Sequence, residues 1–147
     1  MQNTALISAK LEDYLTAVLE LESRNRVARV SDIAAEMGVQ MPTVTGALKH
    51  LAEHGLVNYE PYQFVTLTGQ GRELAESLVR AHEVLQQFLL GVLGVPADVA
   101  ERDACGMEHA VSSETLERLI QFVGYVQAKR NLVAQFQKSA EAGDGTS

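Results

Sequence analysis

Residues 27 to 55, "VARVSDIAAEMGVQMPTVTGALKHLAEHG", restrict the fold more than any other stretch. Ser31 suits a helix N-cap, Asp32 then falls in the positively polarised first turn, and Gly38 is a natural helix stop. A four-residue connection leads to Pro42, placed for a first helical turn, where its missing N–H has no partner to lose. The second helix runs to about His54 and ends at Gly55. Two short helices joined by a tight turn have the length pattern of a helix-turn-helix. On the second helix Val44, Leu48 and Leu51 form the inner stripe, while Pro42, Gly46 and Lys49 point outward, flanked by Thr43 and Thr45.

The flanks extend this unit. Residues 9–23, "AKLEDYLTAVLELES", put Leu11, Tyr14, Leu15, Val18 and Leu21 on one helical stripe, with Asp13 on the opposite side. "LVNYEPYQFVTLT", residues 56 to 68, contains two β-prone runs around "PYQ" and reads as a hairpin. Three helices followed by a hairpin suggest a winged helix, a fold used for reading DNA and also for docking protein. The small, polar outer face of the second helix favours DNA. Gln40, Pro42, Thr43 and Thr45 are the expected base-side contacts, and Lys49 the phosphate contact. Tyr59, Tyr62 and Gln63 in the hairpin either touch the DNA backbone or minor groove, or pack.

Charge limits the kind of nucleic-acid binding. The net charge of −7 is shared by both halves, with 7 Lys/Arg against 10 Asp/Glu in residues 1–80 and 5 against 9 in residues 81–147. No basic surplus is available to release counterions from phosphates, so contact must be local or follow neutralisation of acidic groups. "MQNTALISAK" lacks a basic start and apolar core, no run of about 18 apolar residues suggests a membrane span, and one cysteine forms no internal disulfide. These features fit a cytoplasmic protein.

From Gly69 to about Leu90 a long helix carries Leu74, Leu78, Leu85 and Leu89 on one face. Three further helical segments begin near Pro96, Ser113 and Phe122, and "AEAGDGTS" reads as a frayed tail. The expected organisation is mainly α, with a winged helix-turn-helix over residues 1–70, an all-helical domain over 71–140 and a tail over 141–147.

The only cysteine lies in "ACGMEHAVS", residues 104 to 112. On a helix starting at Pro96, Ala100, Ala104, Met107 and Val111 cluster within roughly 60° as a buried stripe. Asp98, Glu101, Cys105, Glu108 and His109 share the other side, within about 120° of one another. A thiol used only for packing belongs in the apolar stripe. Its company here fits a metal site, although a polar helix surface has the same pattern, and one helix supplies too few ligands for a closed sphere. His82 is a further candidate, or a core histidine bonded to backbone; Asp13 is another, or a solvated carboxylate. His50 and His54, on the second helix of the turn and at its end, are given no metal role.

Taken together, "LEDYLTAVLEL", the stretch from "ARVSDIAAEMG" through "TLTGQGRELA", "RAHEVLQQFL" and "ACGMEHAVS" resemble the diphtheria-toxin-repressor and manganese-transport-regulator family of bacterial metal-responsive repressors. The resemblance covers residues 7–137. It implies a homodimer, a dimerisation and metal-binding half beyond about residue 70, and divalent iron or manganese as corepressor for binding palindromic operators. It places Asp13, His82, Cys105, Glu108 and His109 at ligand positions. Departures are informative. Thr16 and Cys105 stand where manganese-type members usually carry acidic residues, whereas Asp13 resembles the manganese type. Gln86 and Glu101 stand at positions of a second, ancillary metal site in iron-type members, and the SH3-like C-terminal domain of the longer regulators has no counterpart here.

A thiolate softens an imidazole–carboxylate site, so Fe(II) is the expected metal and Mn(II) the runner-up. The resemblance implies that loading fixes two reading helices roughly one turn of B-DNA, about 34 Å, apart or a multiple of it. Metal-assisted hydrolysis is the competing chemistry for such ligands. No phosphate-cradling glycine loop or nucleophile elbow accompanies them, so a regulator rather than an enzyme is expected.

Overall fold

The computed structural model describes residues 7–25 and 27–143. Residues 1–6 of the N-terminal stretch discussed above and residues 144–147 of the expected tail lie outside them, whereas residues 141–143 continue the last helix. The chain divides into two compact units between Val79 and Arg80.

The first unit contains α1 (Ala9–Asn25), α2 (Val30–Met37), α3 (Met41–Glu53), β1 (Val57–Asn58) and β2 (Thr66–Leu67). It also contains the beginning of α4 (Gly69–Gln87), which is continuous across both the expected boundary near residue 70 and the observed one. The strands pair antiparallel, Val57 opposite Leu67 and Asn58 opposite Thr66, and an Ala28–Val65 bridge extends the hairpin edge. Tyr14, Leu15, Val18 and Leu21 of α1 pack with Ile33, Val44, Leu48, Leu51, Val57 and Val65 in one buried cluster. Each such apolar side chain contributes about 1.5–3 kcal/mol of transfer free energy.

The turn chemistry is as its residues dictate. Gly38 ends α2 in the left-handed conformation at φ 66°, Pro42 lies in the first turn of α3, and Gly55 follows the α3 cap at φ 70°. Ser31 is not the cap. Arg29 takes that position in extended conformation without a side-chain cap, and α2 begins at Val30. The cause is non-local: Val65 N–H donates to the Ala28 carbonyl at 2.8 Å, which holds the chain extended up to the first residue of the helix.

Glu22 ties three elements of this unit together. Its carboxylate accepts from Leu67 N–H at 3.3 Å and from the Arg72 guanidinium at 2.5 Å, linking α1 to β2 and α4. Glu22→Ala leaves the Leu67 N–H without its acceptor, an expected loss of about 1–3 kcal/mol. Denaturant unfolding monitored through the first unit tests this, and an unchanged midpoint contradicts it.

In the second unit the end of α4 passes into a π-helical turn, Phe88–Val92, two residues beyond the helix end expected near Leu90. The Gln137 amide donates to the Gly91 and Val92 carbonyls, both at 3.2 Å, and so meets acceptors that the wider turn leaves over. α5 (Ala97–Met107), α6 (Ser113–Gln127) and α7 (Arg130–Gly143) follow. No helix begins near Phe122. Burial of Val123 and Val126 against Val92 carries α6 straight through Gly124, and the break falls at Ala128–Lys129. Ser112 caps α6, accepting from Thr115 N–H at 3.2 Å. No described helix is long and apolar enough to cross a membrane.

Met107 also departs from expectation. Ala100 and Ala104 are fully buried, but Met107 is 38% exposed. The inward face of α5 continues at i+4 rather than i+3, so the side chain of Glu108, only 9% exposed, follows Ala104 inward.

Candidate metal centre and DNA-reading face

Leu85 and Leu89, with Ala100 and Ala104, pack the end of α4 and the π-turn against α5. The two alanines leave room for this approach. It brings His82 against the Glu101–Cys105–Glu108 face of α5, a face set by spacings of four and three residues. His82 Nδ1 lies 2.7 Å from Glu108 Oε2, and Nε2 lies 3.1 Å from Glu101 Oε2. Cys105 Sγ is 3.9 Å from His82 Nδ1 and donates towards Glu101 Oε1 at 3.8 Å. The Gln86 amide donates to Glu101 Oε2 at 2.8 Å. His109 Nε2 stands 3.5 Å from Glu108 Oε1.

One imidazole therefore faces two groups of donors. Its Nδ1 side meets Glu108 and Cys105, and ligand atoms of His82, Cys105 and Glu108 all lie within 4.8 Å of one another. Its Nε2 side meets Glu101, which Gln86 also holds. Burial pushes the His82 imidazole down, but the hydrogen bonds and charges of Glu101 and Glu108 outweigh it and hold the group above its ordinary value of 6.5. With both ring nitrogens on carboxylates, the protonated ring supplies the positive charge this cluster attracts.

Nitrogen, carboxylate oxygen and thiol sulfur within one ion's reach fit a divalent first-row metal. Ligands bind such an ion deprotonated, so loading releases the His82 proton. Metal affinity is expected to climb with pH through the raised His82 value instead of levelling at 6.5. In the metal-free protein the sign is opposite. The protonated pair stabilises the fold below pH 6.5, and this contribution fades as pH rises through the folded-state value. Calorimetric metal titrations across pH 6 to 8 check the first, and pH-independent affinity contradicts it. Thermal unfolding of the metal-free protein over the same range checks the second, and a midpoint that does not fall with rising pH contradicts it.

Asp13 lies half-buried on α1, its backbone carbonyl accepting from the Thr16 hydroxyl at 2.9 Å. On α3, Pro42, Thr43 and Lys49 are exposed, as is Gln40 in the N-cap position. The Thr45 hydroxyl donates to the Pro42 carbonyl at 2.9 Å. Met41 was missed by sequence reasoning. Its spacing from Val44 puts it on the inner stripe, yet it is 49% exposed at the first position of α3. Tyr59 packs partly against the core, whereas Tyr62 is fully exposed at φ 66°, and Arg29 stacks over Phe64 at 5.3 Å.

Residues 7–65 match the family described as iron dependent repressor, N-terminal DNA binding domain. Residues 68–130 match iron dependent repressor, metal binding and dimerisation domain. The transcriptional regulator MntR of Escherichia coli O6:H1 is 44% identical over 107 residues, covering 73% of this chain and 68% of that protein. The HTH-type transcriptional regulator MntR of Bacillus subtilis strain 168 is 31% identical over 139 residues, covering 92% and 97%. Among solved structures, the manganese regulator SloR superposes with a TM-score of 0.69 at 36% identity, over 78% of this chain and 54% of that one. This chain thus spans about half the length of that solved relative.

Proposed function

The chain belongs to the iron-dependent repressor family and is a metal-dependent transcriptional repressor, and on that premise we propose that Mn(II) is its corepressor and a palindromic operator its target. The observation that carries the reading is the convergence of His82, Cys105 and Glu108 around the Nδ1 side of one imidazole. Asp13 and His109 complete the proposed ligand set from their positions in the family pattern. Gln86 and Glu101 form the proposed ancillary site, weakened because an amide replaces a carboxylate. When bound, the metal supplies two positive charges to this acidic neighbourhood. Glu108 and His82 orient one another, and Cys105 adds the softer ligand.

The name of the similar solved regulator favours manganese over the Fe(II) suggested by the thiol. Fe(II) remains the second reading because Cys105 Sγ is one of the three clustered ligand atoms. A non-enzymatic, cytoplasmic role is part of the proposal, as is the functional division at residues 70–71, near the start of α4. So is a homodimer: the matched description names dimerisation, and Phe122, Tyr125, Leu132 and Phe136 of α6 and α7 expose apolar surface suited to it. Gln40, Pro42, Thr43 and Thr45 are the proposed base-side contacts and Lys49 the phosphate contact.

The test is anaerobic selection from a random duplex pool with Mn(II), with Fe(II) and without metal. Palindromic duplexes are expected with metal only, and at saturating metal more fully with Mn(II) than with Fe(II), since selectivity rests on geometry rather than affinity. Equal recovery without metal contradicts the reading.

A further inference from the structure

We infer that His50 and His54 form a separate cation site for a late first-row dication such as Zn(II), on the helix that carries the proposed base contacts. The segment "HLAEH" spaces the two imidazoles four residues apart, the separation at which paired histidines on one helical face share a metal. Neither side chain belongs to the hydrophobic core. Their rings lie nearly parallel, with centroids 5.6 Å apart and an interplanar angle of 16°. Two imidazoles bound to one tetrahedral ion at about 2.0 Å per bond place their centroids roughly 5 Å apart, so the separation fits, and the stacked rings have to rotate about their side-chain bonds to turn both lone pairs onto the ion.

The hydrogen bonding points the same way. His54 Nδ1 lies 2.9 Å from the His50 carbonyl oxygen. A carbonyl only accepts, so Nδ1 carries the proton and Nε2 keeps its lone pair. Metal-ligating histidines are oriented in this manner, one ring nitrogen donating to backbone while the other binds the ion. Exposed Lys49 and Glu53 flank the pair with opposite charges.

Two nitrogen ligands and no carboxylate select the late end of the first-row series, where Zn(II) binds far more tightly than Mn(II). The pair is therefore chemically distinct from the cluster around His82. Its remaining coordination positions are open to water or to a phosphate oxygen. Residues 1–80 carry 7 basic against 10 acidic side chains, so an added dication on α3 gives this acidic unit a further phosphate partner beside Lys49. That consequence rests on the DNA-binding reading; the site itself does not.

Equilibrium dialysis of the full chain with Zn(II) is the test, in the wild type, H50Q, H54Q and the double variant. Each single substitution is expected to weaken one Zn(II) per subunit at least tenfold, without changing Mn(II) stoichiometry or the thermal midpoint. In the wild type, Zn(II) should shift the imidazole NMR resonances of His50 and His54 together. Equal Zn(II) binding by wild type and double variant, or no shift at either ring, overturns the site. With the pair occupied, affinity for operator and unrelated duplex should rise several-fold alike, because a phosphate contact carries no sequence information. Unchanged DNA affinity despite the shifted resonances overturns the coupling alone.

Discussion

Glu108→Ala is expected to lower Mn(II) affinity by at least about 100-fold, since loss of a mere supporting contact around a metal already costs 10–100-fold. Operator affinity at a fixed, wild-type-saturating Mn(II) concentration should fall to the metal-free value. The effect is large because the Glu108 side chain is nearly enclosed and stands 2.7 Å from His82 Nδ1, so in the proposed site it supplies both a ligand atom and the orientation of a second ligand. Glu108→Gln keeps the shape and loses the charge, and should be nearly as damaging. Glu101→Ala removes a carboxylate with a 52% exposed side chain from the Nε2 side and should cost roughly tenfold or less. Metal titration of the three variants decides. Glu101 mattering more than Glu108 would mean that the cation sits on the other face of the imidazole.

Gly71→Ala should strongly destabilise the DNA-binding unit. A Cβ at Gly71 would stand 1.8 Å from the Leu56 carbonyl oxygen and 2.8 Å from its carbon. That carbonyl accepts from Thr68 N–H at 3.1 Å, and the Thr68 hydroxyl in turn accepts from Gly71 N–H at 3.0 Å. Neither side of the contact yields cheaply, so the cost lies at or beyond the upper end of the 1–3 kcal/mol typical of overpacking, near about 3 kcal/mol. For a unit of this size that corresponds to a fall of roughly 15 °C in thermal midpoint. Gly69→Ala, two residues earlier on the same helix with nothing within 4 Å of its Cβ, is the control and should change little. Similar midpoints for the two variants would show that α4 does not press on Leu56 as described.

Local chemistry made the first unit legible. Gly38, Pro42 and Gly55 each satisfy a backbone demand that their own residue type announces, and the turn follows whatever surrounds it. Errors arose where a distant residue decides. Ser31 lost the cap to a bridge formed with Val65, thirty-four positions along the chain, and Phe122 begins no helix because Val123 and Val126 are held by Val92. That Glu101, Cys105 and Glu108 share one face of α5 was readable from their spacing. That one imidazole serves both Glu101 and Glu108 was not, because it depends on how Leu85 and Leu89 seat against Ala100 and Ala104. Ligand type alone pointed to iron, since a thiolate says more about softness than about which cation a cell supplies.

The central claim is that the cation held around His82 and Glu108 and the operator bind the same state of the protein. Thermodynamic linkage then requires Mn(II) to tighten the operator duplex by the same factor as the duplex tightens Mn(II). Measuring both, anaerobically and at one salt concentration, is the most direct test. Equal factors, in the 5–150-fold range usual for coupled sites, are the predicted result. An Mn(II) affinity unaltered by saturating operator would contradict it.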